Sequence, residues 1–172
     1  MSKTNKKIII LDGYNIIHRI PEFERLLDTS LEAARERLYR FCANWMSTRK
    51  DVYLFYIVFD GQTGLTEGSH QPSPGIRTVF TNTGEKADTR IVDITEERIN
   101  DAKVAVVSDD NFVRNKCHLL DAEIISVDSF ISLPGAAARL RQQKDPPAND
   151  KKLHPRQQKM INDDLKREWG IE

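Results

Sequence analysis

The sequence predicts an α/β fold of three layers, helices on both faces of a mostly parallel central sheet. Three observations predict it. Short, continuous apolar runs rich in β-branched residues recur at Ile8–Leu11, Val52–Phe59 and Val104–Val107, the pattern of strands buried on both faces. Segments with apolar residues at helical spacing lie between them, and such alternation implies parallel strands joined by helical crossovers. Each of the three runs also ends in acid, at Asp12, Asp60 and Asp109-Asp110.

Taken in order, Ile8-Ile9-Ile10-Leu11 is the first strand, closed by the turn signal Asp12-Gly13. A short helix is expected from Asn15, with a break near Pro21. Thr29 or Ser30 can cap the next helix, in which Leu31, Ala34, Leu38, Phe41 and Trp45 form a core stripe. Val52–Phe59 is the second strand and again ends at Asp-Gly. A loop of Gly, Ser, Thr and Pro fills Gly61 to Gly75, a length often found in functional lids. Ile76–Phe80 reads as a third strand. Lys86–Ile99 reads as an amphipathic helix with Ile91, Ile94 and Ile99 on one side. Val104–Val107 is a fourth strand, followed by a helix from about Asn111. Glu123–Val127 is a fifth strand, with Asp128 or Ser129 capping a final short helix.

At 172 residues the chain has the size of one domain. Hydrophobic residues at 39% and charged residues at 30% are ordinary for a globular protein. No apolar run approaches the ~20 residues of a membrane span. The first seven residues are polar and basic, and Ile8–Leu11 is too short for a signal-peptide core, so a cytoplasmic protein is expected. Cys42 and Cys117 lie far apart in helical segments and read as small core residues, not a disulfide or a metal pair.

Net charge is zero but unevenly spread. Residues 139–160 hold seven basic side chains, among them Arg139, Arg141, Lys144, Lys151 and Lys152, against two acids, for a local net charge of +5. A basic appendage on an acidic body suits a protein whose body holds cations and whose tail holds phosphates, although a merely solvated tail fits equally well. Pro146-Pro147-Ala148-Asn149-Asp150 reads as a linker. The expected division is a domain over residues 1–143 and a basic linker with a C-terminal helix or tail over 144–172.

The chemistry is expected where the acids gather. In an open parallel sheet, ligands bind beyond the C-terminal ends of the strands. Asp12, Asp60, Asp109 and Asp110 stand there, and Asp88 opens a helix within Gly84-Glu85-Lys86-Ala87-Asp88. Taken singly, each reads equally as a turn residue, a helix cap or a charge favoured at a helix start. Taken together they would repel one another and take up protons unless a cation neutralised them. Hard Mg²⁺ or Mn²⁺ prefers carboxylate and water oxygens, and two such ions can assist a phosphodiester displacement. Asn15 can orient Asp12 or contact phosphate, and Ser108 can hydrogen-bond beside Asp110. Lys86 and Arg90 lie near Asp88 and either meet phosphate or face solvent. The four histidines show no ligand spacing. No dinucleotide-binding glycine motif, phosphate-binding P-loop or nucleophile elbow is present. Asp12-Gly13-Tyr14 lacks the second aspartate of an aspartyl-phosphate phosphatase.

Ile10-Leu11-Asp12-Gly13-Tyr14-Asn15, Val58-Phe59-Asp60-Gly61, Gly84-Glu85-Lys86-Ala87-Asp88 and Val106-Val107-Ser108-Asp109-Asp110 together resemble the NYN branch of the PIN-like nucleases, and within it the YacP-like family. The resemblance runs from Lys7 to Leu133. It implies a PIN-like Rossmannoid fold and divalent-metal-dependent endoribonuclease activity. It puts the metal on Asp12, Asp60, Asp88 and Asp110, with Asn15 and Ser108 in support. Asp109 is an extra acid, where family members often carry serine, and acts as a further ligand or tunes the cluster. The implied reaction is in-line attack of water on an RNA phosphate, leaving a 5′-phosphate and a 3′-hydroxyl. The tail lies beyond the resemblance, and it is from their charge alone that Arg139, Arg141 and the other tail cations are expected to hold the strand. Some YacP-like proteins are linked to cleavage of mRNA on the ribosome. Two rival readings keep the fold: a silent RNA- or ribosome-binding module, and a metal-dependent hydrolase of small phosphoesters.

Overall fold

The computed structural model describes residues 4–61 and 73–132. Five strands, β1 (Thr4–Asp12), β2 (Val52–Phe59), β3 (Ile76–Phe80), β4 (Ala102–Val107) and β5 (Glu123–Ile125), form one sheet in the order β3-β2-β1-β4-β5. Every pairing is parallel, so the mostly parallel sheet that was expected is wholly parallel. The helices are α1 (Gly13–Arg19), α2 (Pro21–Leu27), α3 (Leu31–Ser47), α4 (Ala87–Arg98), α5 (Asn111–Leu119) and α6 (Val127–Ser132).

Alternate residues of the central strands feed two cores, as the period of two requires. Ile9, Leu11, Phe55, Ile57 and Phe59 pack against α1, α2, α3 and α6. Ile8, Ile10, Val58, Val104 and Val106 pack against α4 and α5. Burial on both faces explains why these strands read as unbroken apolar runs and not as alternating ones. Cys42 and Cys117 are free and buried, one in each core.

Several boundaries differ from the sequence reading for local reasons. Pro21 does not merely break the chain; it opens α2 at the first helical position, where its missing N–H costs nothing. Strand β1 begins at Thr4, because the polar residues before Ile8 pair with Ala102 and Lys103 of β4 and with Val52 of β2. Ser30 caps α3, accepting from the Ala33 N–H, and Leu31 is exposed and lies off the core stripe. Strand β5 stops at Ile125 because Ser126 caps the last helix, accepting from the Ser129 N–H. The cap is therefore neither Asp128 nor Ser129. The loop expected over Gly61–Gly75 lies mostly outside the described residues, as does everything after Ser132.

This topology has a switch point. From β1 the chain steps outward through β2 to β3, then returns across the sheet so that β4 lies on the other side of β1. The crevice between the C-terminal ends of β1 and β4 is where ligands bind in open α/β sheets.

Candidate active site

Asp12 ends β1, Asp60 follows β2, Asp110 follows β4, and Asp88 lies in the first turn of α4. Three of these acids serve as helix caps. Asp12 Oδ1 accepts from the Asn15 N–H at 3.3 Å and starts α1. Asp110 Oδ1 accepts from the Val113 N–H at 3.0 Å and starts α5. Asp60 acts across elements: its Oδ1 accepts from the Ala87 N–H at 2.8 Å, supplying α4 with the cap that Lys86 does not provide. The cap and ligand readings of these acids are therefore not exclusive. Each cap uses one oxygen, and the second oxygens of Asp60 and Asp110 have no hydrogen-bond partner among the described residues. Asp88 has no hydrogen-bond or ion-pair partner among them at all.

Ser108 ties two of the acids together. It is fully buried, donates to Asp12 Oδ2 at 3.4 Å and accepts from the Asp110 N–H at 3.1 Å. Thr81, also buried, does the same for Asp60. Its hydroxyl donates to Asp60 Oδ1 at 3.3 Å and accepts from the Gly61 N–H at 3.0 Å. Sequence reasoning missed Thr81. The signal was the register: Phe59 pairs with Phe80, so the next residues, Asp60 and Thr81, are neighbours.

The acids act on one another. Burial pushes the Asp12 carboxyl up to about 6, and the negative charges of Asp88 and Asp110 add to this. The Asn15 N–H and the Ser108 hydroxyl pull the other way. Asp88 is also raised, by burial first and then by Asp110 and Asp60, with Lys86 opposing. The four side chains thus form one electrostatic group.

Other candidates are positioned differently. Asp109 turns from the group: its Oδ1 accepts from the Val127 N–H at 3.1 Å, and its Oδ2 lies 4.0 Å from Arg19 Nε. It braces the corner between β4 and α6. Arg90 is engaged by Glu97 at 3.8 Å, two turns further along α4. Lys86 is exposed beside Asp88. Asn15 is half-buried next to Asp12. Arg139, Arg141 and the other tail cations lie outside the described residues.

Gly13 sets how closely α1 approaches β2. A Cβ there would collide with the Phe59 ring, so only glycine lets the chain turn from Asp12 into α1 at this point.

Among the described residues, no three His, Cys, Asp or Glu side chains stand ready to hold a metal ion by themselves. No described helix is long and apolar enough to cross a membrane.

Comparison with known proteins extends the motif resemblance. The family described as YacP-like NYN domain matches residues 9–170, well past Leu133, where the resemblance read from the sequence ends. Similar solved structures include two of one protein. The crystal structure of Rae1 (YacP) from Bacillus subtilis is 21% identical, with a TM-score of 0.64 over 95% of this chain and 92% of that one. A tryptophan-to-leucine mutant of that protein is 23% identical, with a TM-score of 0.63 over 79% of this chain and 80% of that one. At these identities the likeness speaks to the fold. No curated protein matches. The chain belongs to the YacP-like NYN family, whose domain is of the nuclease type.

Proposed function

We propose that the chain is a divalent-metal-dependent endoribonuclease whose site lies at the C-terminal edge of the sheet. One observation carries this reading. Asp12, Asp60, Asp88 and Asp110 load one another with negative charge, and Asp88 has no hydrogen-bond or ion-pair partner among the described residues to account for it. A partly buried carboxylate without a partner is a cost to the fold, and a cation relieves it.

The donor set fits Mg²⁺ or Mn²⁺. It consists of hard oxygens with no thiolate or imidazole. Mg²⁺ keeps several waters and needs only one or two carboxylates once phosphate supplies the rest, so a set too open to enclose an ion suits it. When bound, the cation supplies positive charge at the phosphoryl group and makes water more acidic at neutral pH. Asp12, Asp60, Asp88 and Asp110 would hold it. Ser108 keeps Asp12 Oδ2 aimed and fixes the backbone of Asp110. Thr81 does the same service for Asp60. The Asn15 amide and Lys86 would meet the substrate at the cluster, while Ser108, read from the sequence as a further contact, is buried and acts only through Asp12 and Asp110; Arg139, Arg141 and the basic tail would hold the strand further out. The partner is RNA, including mRNA carried on the ribosome, and the compartment is the cytoplasm.

The test uses end-labelled single-stranded RNA with Mn²⁺, Mg²⁺ or EDTA, beside an Asp88→Asn variant. The expected result is cutting in either metal, none in EDTA, and a loss of at least ~100-fold in the variant, the scale on which removing a key electrostatic group acts. Hydrolysis of an aryl phosphate with RNA left intact would replace this reading with a small phosphoester hydrolase. Metal-independent RNA binding without cleavage would replace it with a silent binding module.

A further inference from the structure

Helix α3 ends at Ser47, just before β2 begins at Val52, so it runs against the strands and its first turns lie at the same sheet edge as the acids. Arg35 stands on its second turn. The guanidinium carbon lies 5.0 Å from the Phe80 ring centre, 5.4 Å from that of Phe59 and 5.5 Å from that of Tyr14. Phe59 and Phe80 are stacked on each other, and Tyr14 meets Phe59 edge-on. Arg35 Nε donates to the Tyr14 hydroxyl at 3.0 Å, and Nη2 donates to the same oxygen.

All three rings adjoin the candidate site along the chain. Tyr14 is two residues past Asp12, Phe59 precedes Asp60, and Phe80 precedes Thr81, which bonds Asp60. Yet no carboxylate among the described residues forms an ion pair with Arg35. Its remaining N–H groups also lack partners there. Aromatic faces attract a cation but do not neutralise it. A half-buried guanidinium, held flat by rings and oriented by a hydroxyl, keeps its charge and its planar fork for an anion.

We propose that Arg35, oriented by Tyr14 and held by Phe59 and Phe80, binds a backbone phosphate of single-stranded RNA next to the phosphate that is cut. The inference rests on the ribonuclease reading for its substrate class. It adds a direction. The strand enters over the ends of β3 and β2 on the α3 side and crosses towards Asp88 and Asp110, which belong to the α4 and α5 side.

The test separates this subsite from the chemistry. Binding of a short fluorescent single-stranded RNA to the full chain is measured in EDTA over a range of salt concentrations. Arg35→Gln should weaken binding by about tenfold, the value of one charge-assisted hydrogen-bonded contact. It should also lower the salt slope by about 0.7, the share of one phosphate on a single strand. Arg35→Lys keeps the charge but not the fork, and should lose a few-fold in affinity with the slope unchanged. If Arg35→Gln does not fold, the lysine variant decides: a few-fold loss supports the subsite and wild-type affinity overturns it. A folded Arg35→Gln protein with wild-type affinity and slope also overturns the subsite, and leaves the nuclease reading intact if RNA is still cut. Binding that depends on Arg35 in a protein that never cuts RNA keeps the subsite and removes the nuclease reading. Wild type that binds no RNA overturns the subsite.

Discussion

Asp12 carries opposing demands. Its backbone position makes it the cap of α1, which favours a carboxylate, while its burial and its acidic neighbours Asp88 and Asp110 disfavour the charge. The balance raises its pKa from 3.8 to about 6. A carboxyl raised in this way binds its proton more tightly folded than unfolded, so the metal-free fold gains stability as pH falls through about 6 and the gain is complete below about 4. At pH 8 the ionised Asp12 works against the fold. Asp12→Asn keeps an acceptor for the Asn15 N–H and puts an amide N–H, which donates to the Ser108 hydroxyl, where Oδ2 stood, and it carries no charge. In urea denaturation without metal it should be more stable than wild type at pH 8 by up to about 3 kcal/mol, from ~1.36 kcal/mol per pKa unit. The difference should shrink as pH falls and vanish near pH 4, while RNA cleavage is lost at every pH. A constant difference across that range would mean that Asp12 does not titrate as described. The acids themselves were legible in the sequence because each closes an apolar run or opens a helix. The separate orientation of Asp109 was not, since neighbouring residues at a strand end read alike until the partners of each, here Val127 and Arg19, are known.

At the scale of elements, the cap that Asp60 provides to α4 joins the two parts of the site. The N–H that it receives belongs to Ala87, the residue before Asp88, so one contact sets both the start of the helix and the height of the fourth acid. Asp60→Ala removes that acceptor and should cost about 1 kcal/mol in urea denaturation, as losing an N-cap does. Asp60→Asn keeps the acceptor and drops the charge. It should be at least as stable as wild type yet as inactive as the alanine variant. Equal stability of the two variants would show that the cap contributes nothing. No sequence pattern announces a cap supplied from 27 residues away. Local caps were legible only in part: Ser30, before a clear apolar stripe, is one of the two residues the sequence offers for α3, whereas Ser126, which caps the last helix, is not among those it offers there. Helix α2 was missed because Pro21 reads first as a breaker, and only the chain's return after Ile20 makes it a helix start. Strands β2 and β3 were read to the residue, since β-branched and aromatic runs bounded by polar residues leave little choice.

For the molecule as a whole, alternation of apolar runs and helices gave a parallel sheet but not the order of its strands. That order depends on where the crossover from β3 returns, and it puts β1 in the middle, with Asp12 beside the crevice facing β4. The consequence is a site made by the whole fold: its acids come from three strand ends and one helix start, drawn from both sides of β1. A cation bound there should therefore stabilise the domain, because the unfolded chain has no such gathering of charge. At a concentration one hundred times its dissociation constant, such a cation adds ~2.7 kcal/mol. For a chain of this size that corresponds to a rise in melting temperature of roughly 5–10 °C. The rise should be present in Mg²⁺ and in Mn²⁺ at pH 7.5. It should shrink below pH 6, where protons occupy Asp12 and compete with the cation, and it should be much smaller in Asp88→Asn. Calorimetry with and without EDTA would measure it. A melting temperature that ignores both metals at pH 7.5, or one that rises equally in Asp88→Asn, would mean that these four aspartates do not share an ion, and the metal would then have to arrive with the RNA.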